Sequence, residues 1–133
     1  LNDATLFLRK AEESLSSAED DYAKERYNAC ARSVYYSAFH ASIAALLFEG
    51  VRPTGRWEHR YVDSQFSGVL VYRRKRYPAR FRTLLAICFR SRVDADYSSL
   101  SVPQRKAARI LGDVRDLLEL VREAIHGHRK TTE

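Results

Sequence analysis

The sequence predicts an all-α protein, an antiparallel bundle of about five helices, and three observations carry that expectation. Apolar residues recur at helical spacing through several long segments. Short turns bearing glycine or proline separate those segments. No stretch alternates convincingly as a strand, and there is no internal repeat. The chain has 133 residues, 45% hydrophobic and 30% charged, which fits one domain around one core. Residues 1–130 are expected to form that single helical domain, with 131–133 as a polar tail.

The first helix is expected from Asp3, read as the N-cap, to about Tyr22. Ala4, Leu8, Ala11, Leu15, Ala18 and Tyr22 step by four and three residues, which draws one apolar stripe. Arg9, Lys10, Glu12, Glu13 and Glu19 fall on the other side. A second helix is expected from about Glu25 to Phe48, stopped by Gly50 and the VRPTG turn. A third spans Trp57 to Tyr72, although Gly68 and the neighbouring valines are poor helix formers. The basic turn RRKRYPARF follows, broken by Pro78.

A fourth helix is expected from Ala79 to about Asp94, with Phe81, Leu84, Leu85, Cys88 and Phe89 on one side. The loop DYSSLSVP then leads into Ser101-Val102-Pro103-Gln104, which reads as a capping box with proline in the first turn. The last helix runs from Pro103 to about Ile125, burying Ala107, Ile110, Leu111, Val114, Leu117, Leu118 and Val121.

Charge and composition bound the function. The net charge is +6, and from Arg52 to Arg92 eleven Lys or Arg stand against two acids, Glu58 and Asp63. That polarity points to an acidic partner, most simply the phosphates of RNA or a nucleotide, or else to a solvated basic surface. The most apolar run, Ala41 to Phe48, is far too short to span a membrane. Cys30 and Cys88 sit in apolar helical contexts, which suits buried thiols in a reducing cytoplasm better than a disulfide framework. A zinc site needs more closely spaced Cys or His, so neither a metal nor another cofactor is expected. The chain contains no methionine, even at its first position, and reads as a trimmed product or a piece of a longer chain.

The second helix carries the residues that a core alone does not require. Asn28, Arg32, Tyr36 and His40 recur every fourth residue, so they form one ridge of hydrogen-bonding heads. Tyr35, Phe39, Ile43 and Leu46 form a neighbouring apolar ridge. The ladder is either a set of polar groups satisfied between helices or the lining of a shared site. Later, Arg92 and Asp96 stand four residues apart with Tyr97 beside them. With the cation first, this is the poorer orientation for a local pair, so Asp96 is free to hold an arginine from another helix, such as Arg32.

Together these residues resemble a known family. YNACARSVYYSAFHA resembles the Asn-Arg-Tyr-Tyr-Phe-His signature of small prokaryotic HEPN domains (higher eukaryote and prokaryote nucleotide-binding). His59 in RWEHRYV falls where that subgroup often has a histidine, and RVDADY resembles its Arg-x-x-x-Asp-Tyr motif. The resemblance runs from about Glu25 to Leu100. It implies an antiparallel HEPN-like bundle that pairs into a homodimer, with a nucleotide- or RNA-facing cleft near the two-fold axis. It further implies a toxin–antitoxin-like module with a minimal nucleotidyltransferase partner. Several branches are metal-independent ribonucleases.

On that resemblance the catalytic candidates are His40, Arg32, Arg92 and Asp96. The nucleotide- or RNA-binding candidates are Asn28, Tyr36, Tyr97 and His59, joined by the basic segment Arg73, Arg74, Lys75, Arg76, Tyr77 and Arg80. In that segment Tyr77 and Phe81 interleave with cations, a pattern suited to phosphate contact and base stacking. The nuclease reading assigns acid–base work to His40 and phosphate binding to Arg32 or Arg92. Arg32 and His40 have seven residues between them, further apart than the Arg–His pair of active HEPN nucleases. Three functions are therefore weighed: an RNA- or nucleotide-binding module, a metal-independent endoribonuclease, and a catalytically silent dimeric adaptor.

Overall fold

The computed structural model describes residues 2–127; Leu1, residues 128–130 of the expected domain and the expected tail at 131–133 lie outside them. Helix α1 spans Asp3–Ala23, α2 Tyr27–Phe48, α3 His59–Gln65, α4 Leu84–Tyr97 and α5 Gln104–Arg122. The third helix continues as a π-helix over Phe66–Arg73, a 3₁₀ turn occupies Ala79–Phe81, and α5 ends in a π-turn over Glu123–Gly127. The result is an all-α bundle, with no strand among the described residues.

Helix α2 is the axis of the bundle, packing against α1, α3, α4 and α5. Its second half is buried without interruption from Ala41 to Leu47, because other helices cover it on every side. Alanine and serine at Ala31, Ser37, Ala38, Ala41, Ser42, Ala44 and Ala45 let those neighbours approach closely. The buried Ser37 hydroxyl donates to the Ala11 carbonyl of α1 at 2.8 Å, so a polar atom at this contact is satisfied. Around α2 the buried side chains of all five helices join in one cluster. Each fully buried Leu, Ile or Val there contributes about 1.5–3 kcal/mol of transfer free energy.

Both ends of the α1–α2 hairpin follow from backbone chemistry. Asn2, rather than Asp3, caps α1, its side chain accepting from Thr5 N at 2.8 Å. After α1, Glu25 takes a left-handed conformation (φ 62°). Arg26 N then donates to Asp21 O at 2.8 Å and Glu25 N to Tyr22 O at 3.0 Å. This Schellman closure delays α2 to Tyr27. Gly50 (φ 80°) ends α2 by the same device, with Val51 N donating to Leu46 O at 2.9 Å.

Other boundaries depart from the expected ones. The third helix begins at His59 and widens into π geometry after Gln65, where Gly68, Val69 and Val71 hold an α-helix weakly. Pro78 opens a single 3₁₀ turn that sinks Phe81 into the core, and α4 starts only at Leu84. α4 runs on to Tyr97, which places Asp96 and Tyr97 on the helix itself. The expected capping box does not form: Pro103 is the N-cap of α5 and no side chain caps it. Asn28 instead takes the loop, its Oδ1 accepting from Val102 N at 2.9 Å.

Candidate functional site

The first half of α2 and the last turns of α4 lie side by side, and their polar residues meet there. Arg32 donates through Nε to Asp96 Oδ1 at 2.5 Å. Arg92, one turn before Asp96 on α4, approaches the other carboxylate oxygen, Oδ2, at 3.8 Å. One carboxylate thus stands between two guanidinium groups from different helices. The Arg32 and Asp96 side chains are 45% and 24% exposed, so the clamp is held by the fold yet open to solvent.

The adjacent tyrosines divide the work. Tyr35 is buried in the core and Tyr36 is exposed, with their rings edge to face at 5.2 Å. The Arg92 guanidinium lies over both, 5.4 Å from the Tyr35 centroid and 5.5 Å from that of Tyr36. Such cation–π contacts hold the guanidinium plane in place. Tyr97, on the following position of α4, is 83% exposed.

Tyr35 also reaches α3. Its hydroxyl and His59 Nδ1 are 2.9 Å apart, and the His59 ring stacks on Phe89 at 4.3 Å. Burial, partly offset by Arg92, pushes the Tyr35 phenol up to about 12. Burial also holds the His59 imidazole below its ordinary value, against the opposing pull of Asp63. The phenol therefore stays protonated and the imidazole neutral. The hydroxyl and Nδ1 share this hydrogen bond, and the imidazole tautomer sets which of them donates.

Of the sequence-predicted residues, the structure brings together Arg32, Tyr36, Arg92 and Asp96, with His59 joined through Tyr35; Tyr97 follows Asp96 in the chain and is exposed. His40 stands apart. It lies two turns beyond Arg32, about 12 Å along the helix and rotated by roughly 80°. It faces α1, where Phe7 lies 5.8 Å away between centroids. Its Nδ1 is buried without a hydrogen-bond partner among the described residues, and burial followed by the nearby Lys10 lowers its pKa. Asn28 is spoken for by the Val102 amide.

The basic segment needs a larger correction. Tyr77 is 6% exposed and packs on Phe66 at 5.3 Å, and Phe81 is 1% exposed. Neither ring is available to a base, because both were drawn into the core beside the π-helix. Arg74 and Arg76 both hold Glu49, at 3.1 and 3.2 Å, and Arg80 pairs with Asp116 at 3.3 Å. Among the described residues Arg73 bonds only a backbone carbonyl, that of Gly68 at 3.4 Å. Lys75 lies 6.0 Å from the exposed Tyr72 ring. Cys30 and Cys88 are buried, and burial raises both thiols, Cys30 to about 11, which makes them poor nucleophiles.

Sequence reading assigned Tyr35 to packing alone and did not foresee its bridge from Arg92 to His59. The one signal available was its place three residues after Arg32, on the flank of the polar ridge.

Fold and cluster define a small all-helical domain in which Arg32 of the central helix and Arg92 of α4 share the Asp96 carboxylate beside the exposed Tyr36 ring. The family model of the HEPN domain matches residues 4–124, most of the chain, and the chain belongs to that family. Membership supports a nucleotide- or RNA-related function at the level of the family. Comparison with curated proteins finds no match. Among the described residues no helix is long and apolar enough to cross a membrane.

Proposed function

We propose that this protein binds RNA or a nucleotide at the Arg32–Asp96–Arg92 clamp. The carrying observation is the single carboxylate shared by two guanidinium groups at an open surface. Two arginines against one acid leave a local excess of positive charge, and guanidinium groups suit the oxygens of a phosphate through paired hydrogen bonds. Tyr36, against the Arg92 guanidinium, and Tyr97, next to Asp96 in the chain, offer exposed rings, on which a base stacks. Asp96 holds the two cations on one carboxylate.

The motif resemblance supports the finer reading, a HEPN protein of the small prokaryotic subgroup acting in a toxin–antitoxin-like module. Its partners are a second copy of the chain and a minimal nucleotidyltransferase. The buried cluster, which joins residues from Ala4 to Val121, supports the reading of a single domain, and the buried thiols are compatible with the cytoplasm.

The test is fluorescence anisotropy with a labelled single-stranded oligoribonucleotide and, separately, with a nucleoside triphosphate. Arg32→Ala is expected to weaken binding about tenfold, the loss of one charge-assisted contact of roughly 1.4 kcal/mol. Its melting temperature should hardly change, because a half-exposed ion pair adds little stability. Equal affinity in wild type and variant for both probes refutes the assignment.

A metal-independent endoribonuclease is a second reading, and one observation redirects it. His59, not His40, is the histidine connected to the arginines, through Tyr35. Cleavage of RNA in EDTA that survives His40→Ala and disappears in His59→Ala favours this version. Full activity in His59→Ala rejects it. The silent-adaptor reading predicts no binding in either assay.

A further inference from the structure

The α2–α3 loop turns back along the helix that follows it. Residues 53–56 with Glu58 line an open cleft of about 500 Å³ against Arg60, Tyr61 and Ser64 of α3. Residues 50–52 line a second, of about 420 Å³, against Gln65 of the same helix, Val69 and Arg73 of its π continuation and Arg74 just beyond it. The two linings are consecutive on both walls, so the clefts run end to end. The groove follows the helix from Arg60 to Arg73, roughly 20 Å.

Its charge is one-sided. Arg52, Arg56, Arg60, Arg73 and Arg74 line it, and Glu58 is the only carboxylate among the described lining residues. Arg74 is neutralised by Glu49, and Arg52 reaches Asp3 at 3.5 Å across an exposed contact. Arg56, Arg60 and Arg73 make no ion pair among the described residues. Three uncompensated arginines therefore share one groove, with the Thr54 and Ser64 hydroxyls and the partly exposed Tyr61 ring between them.

We infer that this groove is a track for the phosphodiester backbone of single-stranded RNA, separate from the Arg32–Asp96–Arg92 clamp. A linear, open channel with cations on both walls follows a flexible polyanion. Hydroxyl and tyrosine groups between the cations suit sugar and base. His59, next to Arg60 in the chain, is tied to Tyr35, the ring that Arg92 also covers, so the Arg60 end of the groove is the one connected to the clamp. The inference rests on the RNA reading of the clamp, but the two are tested by different residues.

The experiment measures binding of a labelled twelve-nucleotide oligouridylate to the full chain across a salt series, for wild type, Arg56→Ala/Arg60→Ala and Arg32→Ala. Removing two phosphate contacts should lower the slope of log affinity against log salt by about 1.4 and the affinity on the order of tenfold. The melting temperature should stay as in the wild type, since both arginines are exposed and unpaired, and Arg56→Lys/Arg60→Lys should keep the slope. An unchanged slope in the double alanine variant, with RNA still bound and Arg32→Ala still impaired, overturns the groove and leaves the clamp standing. Loss in the double variant with none in Arg32→Ala overturns the clamp and keeps the groove. No binding by the wild type overturns the groove outright. Competition by polyglutamate as effective as by unlabelled RNA shows a site for acidic protein and also overturns it.

Discussion

Arg32 and Asp96 are separated by 64 positions in the chain and joined by a direct hydrogen bond between α2 and α4. That bond does two things at once. It ties the central helix to the fourth, and it sets a guanidinium at the surface beside a second one, Arg92, which shares the same carboxylate. Neither arginine is buried enough for the pair to be a major source of stability, so its consequence lies in the field it presents.

Asp96→Asn removes the negative charge while keeping a side chain of the same shape and one acceptor oxygen. The local charge of the clamp rises by one, and phosphate no longer competes with a carboxylate for the arginines. RNA affinity is expected to increase several-fold at low salt, with the gain shrinking as salt is added. Thermal stability should fall by no more than about 1 kcal/mol. Binding titrations at two salt concentrations check this; a weaker-binding variant of normal stability shows that Asp96 contacts the ligand rather than restraining the arginines.

Tyr77 lies in the basic turn but belongs to the core. Tyr77→Ala should cost about 3–5 kcal/mol, the usual penalty for deleting a buried aromatic ring, whereas Tyr77→Phe keeps the contact with Phe66 and should unfold within about 1 kcal/mol of wild type. RNA binding by Tyr77→Phe should equal that of the wild type. Urea unfolding monitored by circular dichroism, with anisotropy on the same samples, separates these outcomes. An alanine variant of normal stability and impaired RNA binding reverses the assignment.

His40 makes stability depend on pH. Burial and Lys10 lower its pKa below the ordinary 6.5, so the folded state prefers the neutral ring and the unfolded chain takes up the proton first. The stability from a neutral His40 is complete above about pH 6.5 and declines as pH falls from there through the folded-state value. His59, lowered for the same leading reason, adds to the same slope. Urea midpoints between pH 7.5 and 5 should fall in the wild type and fall less steeply in His40→Leu, which also removes the unpaired Nδ1. Identical slopes in the two proteins exclude His40 as a source.

Much of this molecule is legible in one dimension because helices announce themselves locally. The stripe Ala4, Leu8, Ala11, Leu15 and Ala18 is buried as its spacing requires, and the inward face of α5 from Ala107 to Val121 is buried residue for residue. Gly50 stops α2 because only a residue at ease with positive φ closes a Schellman turn without strain. The boundaries that departed from pattern were set by a distant partner in one place and by weak local propensity in another. Ser101 caps nothing because the loop beside it is anchored to Asn28 on another helix, and α3 changes to π geometry where its residues favour the α form least.

The site shows the same division more sharply. Helical period alone puts Asn28, Arg32, Tyr36 and His40 on one ridge, and an unfavourable local orientation already pointed Asp96 toward an arginine elsewhere. Period says nothing of what lies opposite the ridge. Packing turned one end of it toward α4, where Arg32 meets Asp96, and the other toward α1, where His40 meets Phe7. It buried Tyr77 and Phe81 in a segment whose composition reads as surface. It also laid the α2–α3 loop along α3 to bring Arg56, Arg60 and Arg73 into one groove. Side-chain spacing within a helix is a short-range property, written in the chain. Which helix faces which residue is decided by burying the apolar surfaces of all five together, and only the folded structure records that outcome.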